Sequence, residues 1–451
     1  MRRWLVRASG LGVASLMAAA ALTLLPRPGA ALAGGATLTI KSSRSSVVTG
    51  GTVTVSGTLT NGGQPVAGSE IQLSIDDPAN PDVRNVQTDP SGHWSLAVKI
   101  ALTTMVTATA LYLPANNAQV KITAVARATL KLAASIARPY LLDPATVTTA
   151  PAGWVSYRLQ VRLPGTTVWQ PAPDTKGVWG TKPGTLYVRA VAAAPGYAAA
   201  GVSPQVTVTI RNGTVPRWIR ELNALRTLNN APLVVEDASL SHADSLHIRY
   251  MEKTGSYSHY EDPKSAWYTK LGAQAGMSSD LFLGAADPIA GWATAPYHAL
   301  AELARASTRA GYATGGGYAA LWVDQETSQR HLSGPTYQFP GNNKTTSLRT
   351  YYVGGEIPDP LAGCPQAWRM RMNAFESVGL PIIFGNQGAV SSPTATVSTG
   401  GKALRVCVVN ASIYGDAVFV IPLLPLQTRH TYTVAVSYRG KLQSRWQFRT
   451  S

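Results

Sequence analysis

The stretch "GWATAPYHAL", residues 291–300, decides how the middle of the chain is read. Proline fixes φ and carries no amide hydrogen, so Pro296 suits the first turn of a helix and not its interior. Ala299, Leu300 and Leu303 follow as an apolar stripe. The spacing therefore predicts a helix from Pro296 with His298 in its first turn, within reach of solvent and ligands. Just upstream, Asp287-Pro288 sets an N-cap residue before a proline and opens "IAGWATA" as a separate short helix. His298 is then either a packing residue at a helix start or half of a binding site whose partner lies elsewhere.

Helical patterning extends further upstream. Trp218, Leu222, Leu225 and Leu228 recur at helical spacing, and a second helix is expected after Asp237, running through "ASLSHADSLHIRYMEK" to a stop at Gly255. His242 and His247 stand five apart, roughly 140° around that helix, which makes them a poor metal pair. His247 is expected to pack on the helix face, and the "EDP" of Glu261-Asp262 to be a solvated turn.

The flanks follow a different period. From Ala36 to about Ala126, "ATLTIKS", "GTVTVSGTLT", "SEIQLSI" and "HWSLAVKI" alternate apolar and polar residues between Gly, Pro, Asn and Asp clusters, as in an antiparallel β-sandwich. "TDPSGHWSL" predicts a hairpin turning at Asp89–Gly92, with His93 on the strand surface. From about Thr129 to Arg211, "WVSYRLQVRL", "TLYVRAVAAAPGY" and "PQVTVTI" predict a second small sandwich. Trp154, Trp169 and Trp179 belong in its core on the commoner pattern, with a sugar-stacking platform as the other reading. The last segment ends in two strands joined by a "YRGK" turn.

At 451 residues the chain exceeds what one hydrophobic core serves. Its start has Arg2, Arg3 and Arg7, an apolar stretch from Leu11 to Leu25 and a small-residue "ALA" ending at Ala33, the pattern of a secretory signal. No later segment has the roughly 20 apolar residues of a transmembrane helix. Cys364 and Cys407 are then expected to form one disulfide. The net charge of +16 divides into +4 for residues 1–33, +7 for 34–214, −1 for 215–309 and +6 for 310–451. Basic flanks on an exported protein either attract anionic polymers and head groups or serve solubility alone. Nucleic acid is not an expected partner, since no run of Lys/Arg interleaved with aromatics occurs.

The opening helices, Tyr257-Ser258-His259, and "GWATAPYHAL" with Trp292, Pro296 and His298 in register together resemble the CAP superfamily of cysteine-rich secretory, antigen 5 and pathogenesis-related proteins. The resemblance is to its bacterial SCP-like extracellular branch and runs from about Pro216 to Asp324. "SGTLTNGGQPVAGSEIQLSI … TDPSGHWSLAV" resembles bacterial immunoglobulin-like modules, and "TYQFPGN … VGGEIPDPL … GLPIIF … TYTVAVSYRGKLQSRWQFRT" a β-module found after bacterial CAP domains. The implied architecture is multidomain α+β: signal peptide 1–33, immunoglobulin-like β-sandwich 34–127, second β-sandwich module 128–213, an α-β-α sandwich CAP domain 214–330 and a C-terminal β-sandwich-like module 331–451.

In that family two histidines and acidic residues meet in a surface cleft able to hold a divalent metal. The resemblance assigns this role to His259 and His298, with zinc or another divalent ion as the implied cofactor. The family's glutamate position is occupied by Ser279, so the carboxylate would have to come from Asp280, one residue on. No G-x-S-x-G or H-E-x-x-H motif occurs. The expected function is a secreted, non-enzymatic binding protein of the cell envelope or extracellular space, its ligand an envelope polymer, a lipid or a protein. The alternatives are a metal-assisted hydrolase of wall peptide or glycan, and an adhesive stalk whose CAP domain is a degenerate spacer.

Overall fold

The structure is a computed structural model describing residues 35–451 apart from 285–286, 304, 306, 325–335, 353–355, 357, 365–376, 386–390 and 412–416. The expected secretory signal lies outside the described residues. Two compact units are formed, one reaching to Ile122 and the other running from Thr123 to Ser451, with Val48–Gly50 belonging to the second.

The first unit is a pair of antiparallel sheets. Strand Thr52–Asn61 alternates exposed and buried residues and pairs with Ala36–Leu38 and His93–Lys99. Strand Glu70–Ile75 pairs with Asp82–Gln87 and Thr104–Ala110. Val53 and Val55 of the first sheet and Ile71 and Leu73 of the second are fully or almost fully buried. The turn at Asp89–Gly92 forms, closed by the amide of Asp89 donating to the carbonyl of His93 and by Asp89 Oδ1 accepting from the amide of His93. It does not make the predicted hairpin. Its flanking strands pair with different partners, so the turn carries the chain from one sheet to the other. A local turn signal fixes the reversal but not the strand that receives the chain.

In the second unit, residues 123–213 form a β-module around Leu159, Val188, Ala190, Val208 and Ile210. Strand Gly184–Ala194 pairs with both Ser156–Arg162 and Val206–Ile210. The tryptophans are not in this core: Trp154 is 41% exposed, and Trp169 and Trp179 are half-buried.

The helical segment has three layers. A sheet in the order Val235–Glu236, Arg309–Gly315, Tyr318–Val323, Asp280–Leu283 forms the centre. Because side chains alternate across a strand, Ala319, Leu321 and Val323 pack with helices α1 (Arg217–Leu228) and α4 (Pro288–Thr294), whereas Ala320 packs with α2 (Ala238–Thr254). The caps are those the sequence predicts. Asp237 accepts from the amide of Ser239, Gly255 closes α2 in the left-handed conformation with φ of 67°, and Asp287 accepts from the amides of Ile289 and Ala290. Helices α3 (Lys270–Ser278) and α5 (Pro296–Glu302) complete the segment.

The segment is fastened at both ends. On the side of the β-module, Arg309, 5% exposed, makes ion pairs with Asp237 at 2.8 Å, Asp174 at 3.2 Å and Asp324. Arg138 pairs with Glu236, and Leu141 forms a parallel bridge to Glu236. On the other side, Ala293, Ala295, Ala299, Leu300 and Leu303 share one core with Phe384, Phe419, Tyr432 and Phe448 of the C-terminal β-module. That module stacks a four-stranded on a five-stranded sheet, and its last two strands turn at Arg439-Gly440.

Cys364 and Cys407 are joined as a disulfide with 43 residues of sequence separation and Cα atoms 6.0 Å apart. Closing a loop of that length is worth up to about 4 kcal/mol through the unfolded chain. Cys364→Ser should lower the denaturant midpoint of the second unit, and a reducing agent should lower the wild type equally while leaving the variant unchanged. Equal midpoints for wild type and variant under oxidising conditions would contradict this.

Candidate binding site around His298

Helix α5 starts at Ala295-Pro296 and has no side-chain cap of its own. Its N-terminal amides need acceptors, and one comes from Glu356 of the C-terminal module. Glu356 Oε1 accepts from the amide of His298 at 2.9 Å and from the His298 ring, whose Nδ1 lies 2.6 Å away. One carboxylate oxygen thus caps the helix and orients the imidazole, which leaves Nε2 as the ring's other polar atom. The His298 side chain keeps a fifth of its surface exposed, whereas that of Glu356 is 1% exposed. Tyr297 packs edge-on to Phe419, with ring centres 5.1 Å apart.

Two motifs converge on the strand beside this helix. The Trp292 indole and the Tyr257 hydroxyl each donate to the carbonyl of Leu281 at 3.0 Å. They fix the strand that carries Asp280, whose Oδ2 is buried with no hydrogen-bond partner among the described residues, as is Glu356 Oε2. Burial pushes the Asp280 carboxyl up to about 7, with the charge of Glu356 adding to the effect and His298 opposing it. For His298, burial works against the charged ring, but Asp280 and the bonded Glu356 outweigh it and raise the imidazole above its ordinary value. Deeper still, Glu302 lies one helical turn beyond His298, fully buried with both carboxyl oxygens unpartnered among the described residues. Burial, reinforced by Asp280, holds it well above the carboxylate range.

The other expected site residues have separate partners. His259 is exposed, and its Nδ1 donates to the carbonyl of Gly276 at 2.7 Å. Ser279 turns inward and donates to Asp244 Oδ1 at 2.6 Å, while Asp244 Oδ2 accepts from the amide of Trp322. His247 is fully buried, with Nδ1 at 2.9 Å from Glu261 and Nε2 donating to the carbonyl of Ser258. Glu261 is therefore not the solvated turn its sequence context predicts: its second oxygen accepts from the amide of Thr269, and the pair ties the loop after α2 to α3. That approach requires Gly276, because a Cβ there would collide with the His247 ring. Among the described residues no group of three or more His, Cys, Asp and Glu side chains is placed to hold a metal ion.

Residues 219–323 match the family model described as CAP, the cysteine-rich secretory protein family. That is the segment with the three layers and His298. No curated protein matches the chain. Among solved structures, the chain is similar to the adhesin InvE of Yersinia pseudotuberculosis (13% identity, 39% of this chain and 58% of that one, TM-score 0.22). It is also similar to invasin, a bacterial integrin-binding protein (12% identity, 92% and 60%, TM-score 0.23), and to the Escherichia coli adhesin FdeC (13% identity, 93% and 98%, TM-score 0.21). The chain thus spans about three fifths of the InvE and invasin chains.

Glu356 and Glu302 escape motif reading for different reasons. Glu356 lies 58 residues beyond His298 in another module, in "VGGEIPDPL", where it is one of two acids with no motif to single it out. Glu302 stands at i+4 from His298 within the CAP segment, on a helix too short for its period to show.

The buried acids set a pH dependence. Asp244 is raised to about 7, chiefly by burial, Asp280 to about 7, and burial raises Glu302 well above the carboxylate range. A raised folded-state value means the folded chain keeps protons that the unfolded chain has released, so stability falls as pH climbs from about 4 through 7. The raised His298 acts in the same sense, its contribution being lost above its ordinary value of 6.5. Thermal melts should show the second unit less stable at pH 8 than at pH 5, with Glu302→Gln flattening the profile. A midpoint rising over that interval would contradict the assignment.

Proposed function

We propose that this chain is an extracellular binding protein in which His298 and Asp280 of the CAP segment, together with Glu356 of the C-terminal module, meet a ligand carrying hydrogen-bond donors, without turning that ligand over. The observation that carries the reading is the pair of buried carboxyl oxygens, on Asp280 and Glu356, lacking donors among the described residues beside a partly exposed imidazole. A buried acceptor is costly unless something donates to it. The match to the CAP family and the expected secretory signal support an extracellular or envelope location. Among the described residues no helix is long and apolar enough to cross a membrane.

A hydrolytic reading has one observation in its favour, a carboxylate-oriented imidazole suited to general-base work. Sedimentation with purified peptidoglycan sacculi separates the two. The full chain should co-sediment without releasing soluble fragments, His298→Ala should bind about tenfold more weakly, and added zinc should change neither result. Release of wall fragments by the wild type and not by His298→Ala would replace the binding reading with hydrolysis. Zinc-dependent binding that His259→Ala also abolishes would favour a two-histidine metal site instead.

A further inference from the structure

The second β-module carries an ordered arginine-aromatic strip on the sheet face opposite its core. Strand register pairs Arg162 with Tyr187, Gln160 with Arg189 and Ser156 with Ala193, while the intervening Leu159, Val188, Ala190 and Ala192 fill the core. The Arg162 guanidinium lies 4.5 Å from the Tyr187 ring and 5.2 Å from the Trp169 ring, and that of Arg189 lies 4.2 Å from Trp169. Side-chain and backbone oxygens complete the fixing. Arg162 donates to Gln205 Oε1 and to the carbonyl of Thr166, and Arg189 Nε donates to Gln160 Oε1. Arginines held in this way lose little further freedom when an anion binds, and their remaining N–H groups suit a carboxylate or sulfate fork.

The charge around the strip has one sign. Residues 128–213 contain eight Lys and Arg against two Asp. Both acids, Asp143 and Asp174, are buried. Strands Ser156–Arg162, Gly184–Ala194 and Val206–Ile210 hold no acidic residue. Beyond the far end of the same strand pair, Trp154 and Tyr197 are 41% and 44% exposed and meet edge-on at 5.0 Å. Exposed aromatic faces of this kind stack on the C–H faces of sugar rings. Arg158, exposed on this strand, falls at the same alternation as Arg162 and lies between it and Trp154 in sequence. Seven strand residues span roughly 20 Å, so the ligand that matches is elongated, anionic and sugar-based.

We infer that this strip binds an anionic glycan chain, its acid groups on Arg162 and Arg189 and a sugar face on Trp154 and Tyr197. The inference stands on a different module from the His298 site and is independent of it.

Binding of the full chain to immobilised polygalacturonate tests this, with neutral dextran, inorganic polyphosphate and phosphatidylglycerol vesicles as comparison probes. Polygalacturonate should bind in a salt-sensitive manner and dextran should not. The double variant Arg162→Gln/Arg189→Gln should bind about tenfold or more weakly, given what charge-assisted hydrogen bonds contribute. Trp154→Ala should weaken polygalacturonate binding but leave any polyphosphate binding unchanged. Full affinity in the double variant would overturn the inference. So would polyphosphate or vesicles bound as tightly as polygalacturonate, with Trp154→Ala without effect, since charge alone or a membrane surface would then explain the strip. Should the double variant fail to fold, the exposed Arg158→Gln alone should cost about threefold, and an unaltered affinity there would equally overturn it.

Discussion

The contact between Glu356 and His298 joins two parts of the chain that the sequence keeps 58 residues apart. A carboxylate with almost no exposed surface is costly to bury unless its charge is met. Here one oxygen receives the amide of an uncapped helix and the ring of the histidine. The C-terminal module therefore does more than cover the apolar side of α4 and α5: it supplies the acceptor that starts α5 and sets the ring. Remove it, and both the helix start and the imidazole orientation lose their anchor.

The rest of the segment follows from how side chains are distributed about the central sheet. Alternation along Tyr318–Val323 sends Leu321 to one helical layer and Ala320 to the other, and Trp292 and Tyr257 then reach the same backbone carbonyl from opposite sequence directions. Tight layering leaves acids inside. Asp244 is satisfied by Ser279 and Trp322, whereas Glu302 has no hydrogen-bond partner among the described residues and burial raises its carboxyl well above the ordinary range. The buried Arg309 cluster, with carboxylates from both the β-module and the helical segment, makes a second polar seam.

Local chemistry was legible where it acts locally. Asp237, Gly255, Asp287 and Pro296 end or begin helices by hydrogen bonds and torsions within a few residues, and the structure places those boundaries where the sequence does. The alternating strands of the first unit are legible for the same reason. What depends on long-range packing was not. Asp89–Gly92 turns the chain but joins two sheets, Glu261 goes inside to meet His247, and Ser279 faces Asp244. Trp169 of the second module lies outside its core because arginines on the neighbouring strands offer its ring a partner. Glu356 was invisible because nothing in "VGGEIPDPL" records what the fold brings against it.

The most direct test of this account is the titration of the His298 ring, followed by NMR in the full chain with labelled histidine, alongside Glu356→Gln. The account predicts a ring that titrates above its ordinary value of 6.5 in the wild type and moves down when the Glu356 charge is removed. A His298 that titrates at the ordinary value and does not respond to Glu356→Gln would contradict it.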